Sequence, residues 1–224
     1  VSLPRLEPVG SPPEDPRALV VVAHGGRSRS SESGERRRLT YWRMLPFARL
    51  LARTEGLAVA MVRYRLRGWN GPARDAARDV AELLTGDLPT VLVGHSMGGR
   101  AVLHAAGAPQ VRAVAALAPW LDGSDPVDQL AGRDVLIAHG DRERMTDPRE
   151  SLAYAVRARQ VTRVARFDVH GDGHAMLRHA ADWHSLVQRF VLGELGFEPE
   201  DPAITNAMRQ PTPGGLEVPL GALR

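Results

Sequence analysis

The chain has 224 residues, 43% of them hydrophobic, which is enough to bury one core and too few for two domains of typical size. Its 29 basic and 26 acidic residues leave a formal net charge of +3 and are spread along the chain, against the one-sided basic stripe of a nucleic-acid binder. The absence of cysteine removes disulfides, cysteine metal sites and a thiol nucleophile together, and no apolar run approaches a membrane span, so neither nucleic acid nor membrane is expected as a partner.

Residues 1–17 carry five prolines and no secretory-signal pattern; they read as an irregular arm, and a cytoplasmic location is expected. Residues 18–23, Ala-Leu-Val-Val-Val-Ala, fit a strand buried on both faces. His24-Gly25-Gly26 follows directly, where glycines let backbone amides approach a ligand that a side chain would hold off. Residues 27–38 are polar and serine-rich, with arginines at 27, 29, 36, 37 and 38; they read as a loop at the mouth of a site, either solvated or open to an anionic group.

Helical spacing over residues 39–54 puts Trp42, Leu45, Ala48, Leu50 and Leu51 on an apolar face, interrupted by Pro46. Residues 57–64 read as a strand, 73–84 as a helix entered through Pro72, and 88–93 as the next strand. Further strands are predicted at 111–117, 133–138 and 164–169, with helices at 148–158 and 175–192. Six strands alternating with helices predict a parallel α/β sheet with right-handed crossovers. The last residues, 197–224, hold five prolines and no clear periodicity, and read as a C-terminal arm flanking a main domain at 18–196.

The most informative stretch is Gly94-His95-Ser96-Met97-Gly98-Gly99, between the strand at 88–93 and a helix-compatible run at 100–106. A strand turning abruptly into a helix holds Ser96 in a strained backbone with its hydroxyl above the sheet edge, and leaves the Met97 amide at a helix N-terminus. The plain alternative is a serine that caps the helix. The stretch resembles the nucleophile elbow of the α/β-hydrolase family. That resemblance implies an α/β-hydrolase fold with strand order second, first, third, fourth, fifth, sixth, helices on both faces, and an oxyanion hole formed by the Gly26 and Met97 amides. About fifteen residues separate the fourth and fifth strands, too few for an inserted cap.

A serine nucleophile needs an imidazole to accept its proton and return it to the leaving group. His174, in Gly171-Asp172-Gly173-His174, opens the last helix, where the resembled family keeps its base; His170 is the runner-up. The family's acid follows a His-Gly-x-x-Asp pattern, and here His139-Gly140-Asp141-Arg142-Glu143 puts Glu143 at that place, longer by one methylene. Asp141 and Asp122 are alternative acids, with Asp125 and Asp147 behind them, and each also reads as a solvated loop charge.

The implied chemistry is acyl transfer through an acyl-enzyme on Ser96: a carboxylesterase-like hydrolase acting on a small ester, thioester or lactone, with no cofactor and no metal. An acyltransferase, thioesterase or lyase on the same fold, or a non-catalytic binding protein, are the alternatives. Trp69, Trp120, Leu121, Met97 and Met176 fall on loops or helix starts at the catalytic end and line an apolar pocket in this reading, or belong to the core in the plainer one. Oligomeric state is not legible.

Overall fold

The computed structural model describes residues 3–33 and 39–220, so Arg36, Arg37 and Arg38 of the polar loop lie outside the described residues. Eight strands form one sheet: β1 (Arg5–Pro8), β2 (Ala18–Ala23), β3 (Leu57–Arg63), β4 (Thr90–His95), β5 (Val111–Leu117), β6 (Asp134–Gly140), β7 (Val164–Val169) and β8 (Val218–Pro219). Their spatial order is β1-β3-β2-β4-β5-β6-β7-β8. Only β1 runs antiparallel to its neighbour. The six inner strands follow the order that the resemblance implies.

Helices α1 (Leu39–Leu51) and α5 (Ala180–Glu194) cover one face; α2 (Asp75–Leu83), α3 (Met97–Ala105) and α4 (Pro148–Ala158) cover the other. Alternation along the strands divides the core accordingly. In β4, Val91 and Val93 join the α1/α5 cluster while Leu92 joins the α2/α3 cluster, because successive side chains leave opposite faces of the pleat. With both faces covered, all six residues of β4 are buried.

The sheet order reverses at β2, whose neighbours are β3 and β4. In open α/β sheets a crevice lies beyond the strand C-termini at such a reversal. The β2–β4 register ends with Ala23 opposite Gly94, so His24-Gly25-Gly26 and His95-Ser96 leave the sheet side by side. Between β5 and β6 the chain makes only short turns and a 3-10 turn at Asp128–Leu130, and among the described residues no cap covers this end.

Both arms hold more structure than expected. In the N-terminal arm, β1 pairs with β3, and Glu7 accepts hydrogen bonds from the Tyr41 hydroxyl and Arg63. In the C-terminal arm, α6 (Pro202–Arg209) is capped by the Asp201 carboxylate and entered through Pro202, and β8 extends the sheet. The Asp-Pro pair was a local start signal for α6. The two short edge strands carry no comparable signal, since their pairing is non-local.

Two further differences concern helices. Trp42 is 53% exposed, and the buried face of α1 is instead Tyr41, Met44, Leu45, Phe47, Ala48 and Leu51. The last long helix begins at Ala180, not 175. The Asp172 carboxylate accepts from the backbone N–H groups of Gly173 and His179 and from the Trp183 indole, which winds residues 173–179 into turns.

Candidate active site

Ser96 has φ 57° and ψ −121°, a conformation that bulky L-residues rarely occupy. Three backbone bonds hold it: its N–H donates to Leu117, and its carbonyl accepts from Arg100 and Trp120. The flanking glycines are required by close approach. A Cβ on Gly94 would lie 2.4 Å from the Gly98 carbonyl oxygen, and one on Gly98 would lie 2.4 Å from the Ala23 carbonyl oxygen. Ser96 makes no side-chain cap bond to α3, contrary to the capping alternative, and it is partly exposed between fully buried neighbours.

Gly26 sits beside this turn. A Cβ there would meet the Arg67 carbonyl oxygen at 2.3 Å and the Met97 Cε and Sδ at 2.4 and 2.6 Å, so only glycine fits. The loop is tied to residues 67–69 by hydrogen bonds from Arg27 N–H to Arg67 and from Trp69 N–H to Arg27. Met97 is the first residue of α3, where backbone N–H groups lack intrahelical acceptors. Neither the Gly26 nor the Met97 N–H donates to a backbone carbonyl among the described residues.

His174 stands in the turn after β7, and its Nδ1–H donates to a Glu143 carboxylate oxygen at 2.8 Å. The Glu143 side chain is wholly buried and that of His174 about a quarter exposed. The second Glu143 oxygen accepts from the backbone N–H groups of Arg144 and Met145 at 2.7 and 2.6 Å. Burial favours the neutral acid, but the bonds from His174, Met145 and Arg144 outweigh it and bring its pKa down to about 2. The pair therefore joins a carboxylate to an imidazole whose Nε2 makes no hydrogen bond among the described residues, to the Ser96 hydroxyl included.

Several groups fix that pair. His139, next to last in β6, has no exposure; its Nδ1–H donates to the Ser151 hydroxyl at 2.9 Å and its Nε2 accepts from the Thr146 hydroxyl at 3.1 Å, bracing the loop that carries Glu143. Burial, then the Arg166 charge, lower its pKa to about 4, so it is neutral. Arg43 of α1 donates to the carbonyl of Ala175, next to His174. His95 donates through Nε2–H to the His174 carbonyl at 3.0 Å, and the two rings lie 4.6 Å apart. His95 thereby links the serine turn to the imidazole.

The rival residues are occupied elsewhere. His170 pairs with Asp141 at 2.6 Å on the surface, and Asp141 also accepts from Gly171 N–H. Asp122 and Asp125 pair with Arg100 at 2.5 and 2.7 Å, and Asp147 caps α4. None of these carboxylates is bonded to His174. His24 is buried between the rings of Tyr41 and Tyr64, its Nδ1–H on the Gly25 carbonyl, and burial lowers its pKa to about 4.

Of the expected pocket residues, Trp69 and Trp120 line a cavity of about 380 Å³ next to the elbow. Leu121, Met97 and Met176 do not line it. Leu121 and Met97 pack into the core under α2/α3, and Met176, left-handed at φ 53°, packs into the core under α1/α5. The bracing by Arg43, Asp172 and Thr146 had no sequence signal, because each acts across 7 to more than 100 residues of chain.

The family model described as "Alpha/beta hydrolase family" matches residues 20–222. Among solved structures, Est1E from Butyrivibrio proteoclasticus superposes with a TM-score of 0.63 at 18% identity, over 86% of this chain and 94% of that one. XC6422 from Xanthomonas campestris, described as an α/β serine hydrolase without lid, gives 0.59 at 20% identity over 90% and 98%. An esterase from Pyrobaculum calidifontis gives 0.58 at 16% over 86% and 85%. At these identities the likeness is one of fold. No curated protein sequence matches.

Proposed function

Because the chain belongs to the alpha/beta hydrolase family, we propose that it is a serine hydrolase that cleaves carboxylic esters through an acyl-enzyme on Ser96. The observation that carries this reading is the 2.8 Å bond between His174 Nδ1 and a wholly buried Glu143 carboxylate, on a turn that His95, the neighbour of Ser96, bonds at 3.0 Å. The similarity of fold to solved esterases supports the ester as the bond attacked.

In this reaction the Ser96 Oγ–H proton passes to His174 Nε2 as Oγ bonds to the ester carbon, and the carbonyl π pair moves onto oxygen. The Gly26 and Met97 N–H groups hold that oxyanion. Glu143, ionised at neutral pH, stabilises the imidazolium and keeps the proton on Nδ1 in the resting state. The oxyanion pair returns, the C–O bond to the alcohol breaks, and the alcohol oxygen takes the Nε2 proton. Water then attacks the acyl-enzyme with its proton going to Nε2; collapse frees the acid and returns the proton to Ser96. Each step conserves protons between substrate, His174 and water.

The test combines hydrolysis of short p-nitrophenyl esters with labelling by a fluorophosphonate. Turnover and labelling should both disappear in Ser96→Ala, and labelling should slow strongly in His174→Ala. Unchanged hydrolysis by Ser96→Ala would overturn the assignment.

A further inference from the structure

The cavity of about 380 Å³ is walled by the segments that follow Gly26 and Ser96, and not by those that carry Glu143 and His174. Ser28 and Arg29 follow Gly26 by two and three residues. Arg100 lies one turn along α3 from Ser96, with its N–H on the Ser96 carbonyl, and the Trp120 N–H donates to that same carbonyl at 3.1 Å. The cavity belongs to the α2/α3 side of the sheet, with Trp69. His174 approaches from the other side: its neighbour Ala175 is bonded to Arg43 of α1, and Met176 lies in the α1/α5 core.

That geometry sorts the two halves of an ester. The alcohol oxygen must face His174 Nε2 to be protonated, so the acyl chain points away from His174, toward the cavity. The volume suits a short chain, being at the small end of ligand pockets.

Charge then distinguishes floor from rim. The Arg100 guanidinium is shared by two indoles that stand nearly perpendicular, at 82°, its Cζ 4.5 Å from the Trp69 ring centre and 4.8 Å from that of Trp120. Its charge is already answered by Asp125 and Asp122, and Asp125 also accepts from His104 at 2.6 Å. Bonds from Ser124, then Arg100, hold Asp122 below the usual carboxylate range, so the rim around this half-exposed carboxylate repels an anion, over a floor where Arg100 and Asp125 are paired. Arg29 and Arg74 are exposed on the rim, and neither forms an ion pair among the described residues. Arg74 is held there by a left-handed backbone, φ 49°, directly after the 3-10 turn at Gly71–Ala73. Three guanidiniums thus meet two carboxylates, and the surplus sits at the rim.

We propose that this cavity receives the acyl half of the ester and selects short acyl chains ending in a carboxylate, as in a monoester of a dicarboxylic acid, with the indoles against the methylenes and Arg29 and Arg74 on the anion. The inference rests on the serine-esterase reading above. Arginine suits this role because its planar fork can pair with both carboxylate oxygens.

The experiment compares the p-nitrophenyl monoester of glutarate with the p-nitrophenyl ester of 5-methylhexanoate, a neutral chain of similar shape, on the whole protein at low and high salt. The glutarate ester should have the higher kcat/KM, by about 10-fold at low salt, one charge-assisted contact being enough for that ratio. The ratio should fall toward one at high salt and in Arg29→Gln/Arg74→Gln, whose fold is checked by circular dichroism. A ratio near one in the parent protein, or a preference that survives the double substitution, overturns the proposal while leaving the esterase reading intact. If neither ester is turned over, titration of the Ser96→Ala protein with monomethyl glutarate, followed by tryptophan fluorescence, decides. Saturable quenching that the double substitution abolishes keeps the pocket and sinks only the esterase reading; no saturable change sinks the pocket.

Discussion

His95 and His174 are joined in an unusual order: the ring of one donates to the backbone of the other, Nε2–H to carbonyl at 3.0 Å, while the rings lie 4.6 Å apart. His95 precedes Ser96, so the bond sets the imidazole's turn against the serine's turn. Burial, then the nearby His174 charge, lower the His95 pKa to about 3, so it stays neutral and its single proton stays on Nε2. Its Nδ1 is buried without a hydrogen-bond partner among the described residues.

Removing that donor should loosen the turn that holds His174. His95→Phe should lower kcat on the order of 10- to 100-fold, the scale of a small misplacement of a catalytic group, with KM little changed. His95→Gln, which keeps a donor at similar reach, should recover much of the loss. Steady-state kinetics on both variants checks this, and equal losses would mean that packing alone matters.

Glu143→Gln keeps the size of the side chain and removes its charge. It leaves His174 without a carboxylate to stabilise the imidazolium, and kcat should fall roughly 10³- to 10⁴-fold. Asp141→Asn should leave activity near that of the parent, since Asp141 is bonded to His170 and Gly171 instead.

Gly26→Ala places a methyl 2.3 Å from the Arg67 carbonyl oxygen and 2.4 Å from the Met97 Cε. The loop must shift, and the Gly26 N–H shifts with it. The expected loss is about 10²- to 10³-fold in kcat, that of one oxyanion donor, with a fall in stability of about 1–3 kcal/mol from overpacking. Kinetics and thermal melting measured together would show both.

The pH dependence of stability follows from three buried histidines. His24, His95 and His139 have pKa values lowered by burial to about 4, 3 and 4. The unfolded chain protonates these rings below about pH 6.5, and the folded one does so only near 3 to 4. Their contribution is therefore complete above pH 6.5 and is lost as pH falls toward 4, each at up to about 1.4 kcal/mol per pH unit. Denaturant melts across pH 7 to 4 should show this slope, and His139→Gln should reduce it by about one proton.

Arg100→Met should destabilise the protein strongly. Arg100 and Asp125 are almost fully buried, and the substitution takes the guanidinium from the carboxylate, which keeps the His104 ring and the Asp122 N–H. Breaking a buried pair typically costs about 3–5 kcal/mol. The double variant Arg100→Met/Asp125→Asn should be more stable than the single one, as urea unfolding would show.

Much of the frame was legible because it depends on local pattern. Residues 111–117, 148–158 and 164–169 match their observed elements to the residue, their apolar runs and Asp-Pro start being read within the segment itself. The elbow was legible for the same reason: the Gly94 and Gly98 contacts lie within a few residues or one strand of Ser96. Glu143 was the preferred acid from its spacing after Gly140, but the choice over Asp141 needed the fold. Both carboxylates sit on one loop, and it is the path of residues 170–174 that takes Asp141 to His170 and Glu143 to His174.

Sequence alone determined the strand and helix pattern and the serine turn, because these are written mainly in neighbours along the chain, while the order of the proposed serine, acid and histidine came from the family resemblance. Tertiary structure decided which carboxylate meets His174, that His95 and Arg43 brace the histidine turn, and that Trp69 and Trp120 face a cavity while Leu121 and Met176 face the core. Those outcomes depend on which surfaces come together once the sheet is assembled, a matter of contacts between segments far apart in the chain, to which periodicity and spacing are blind.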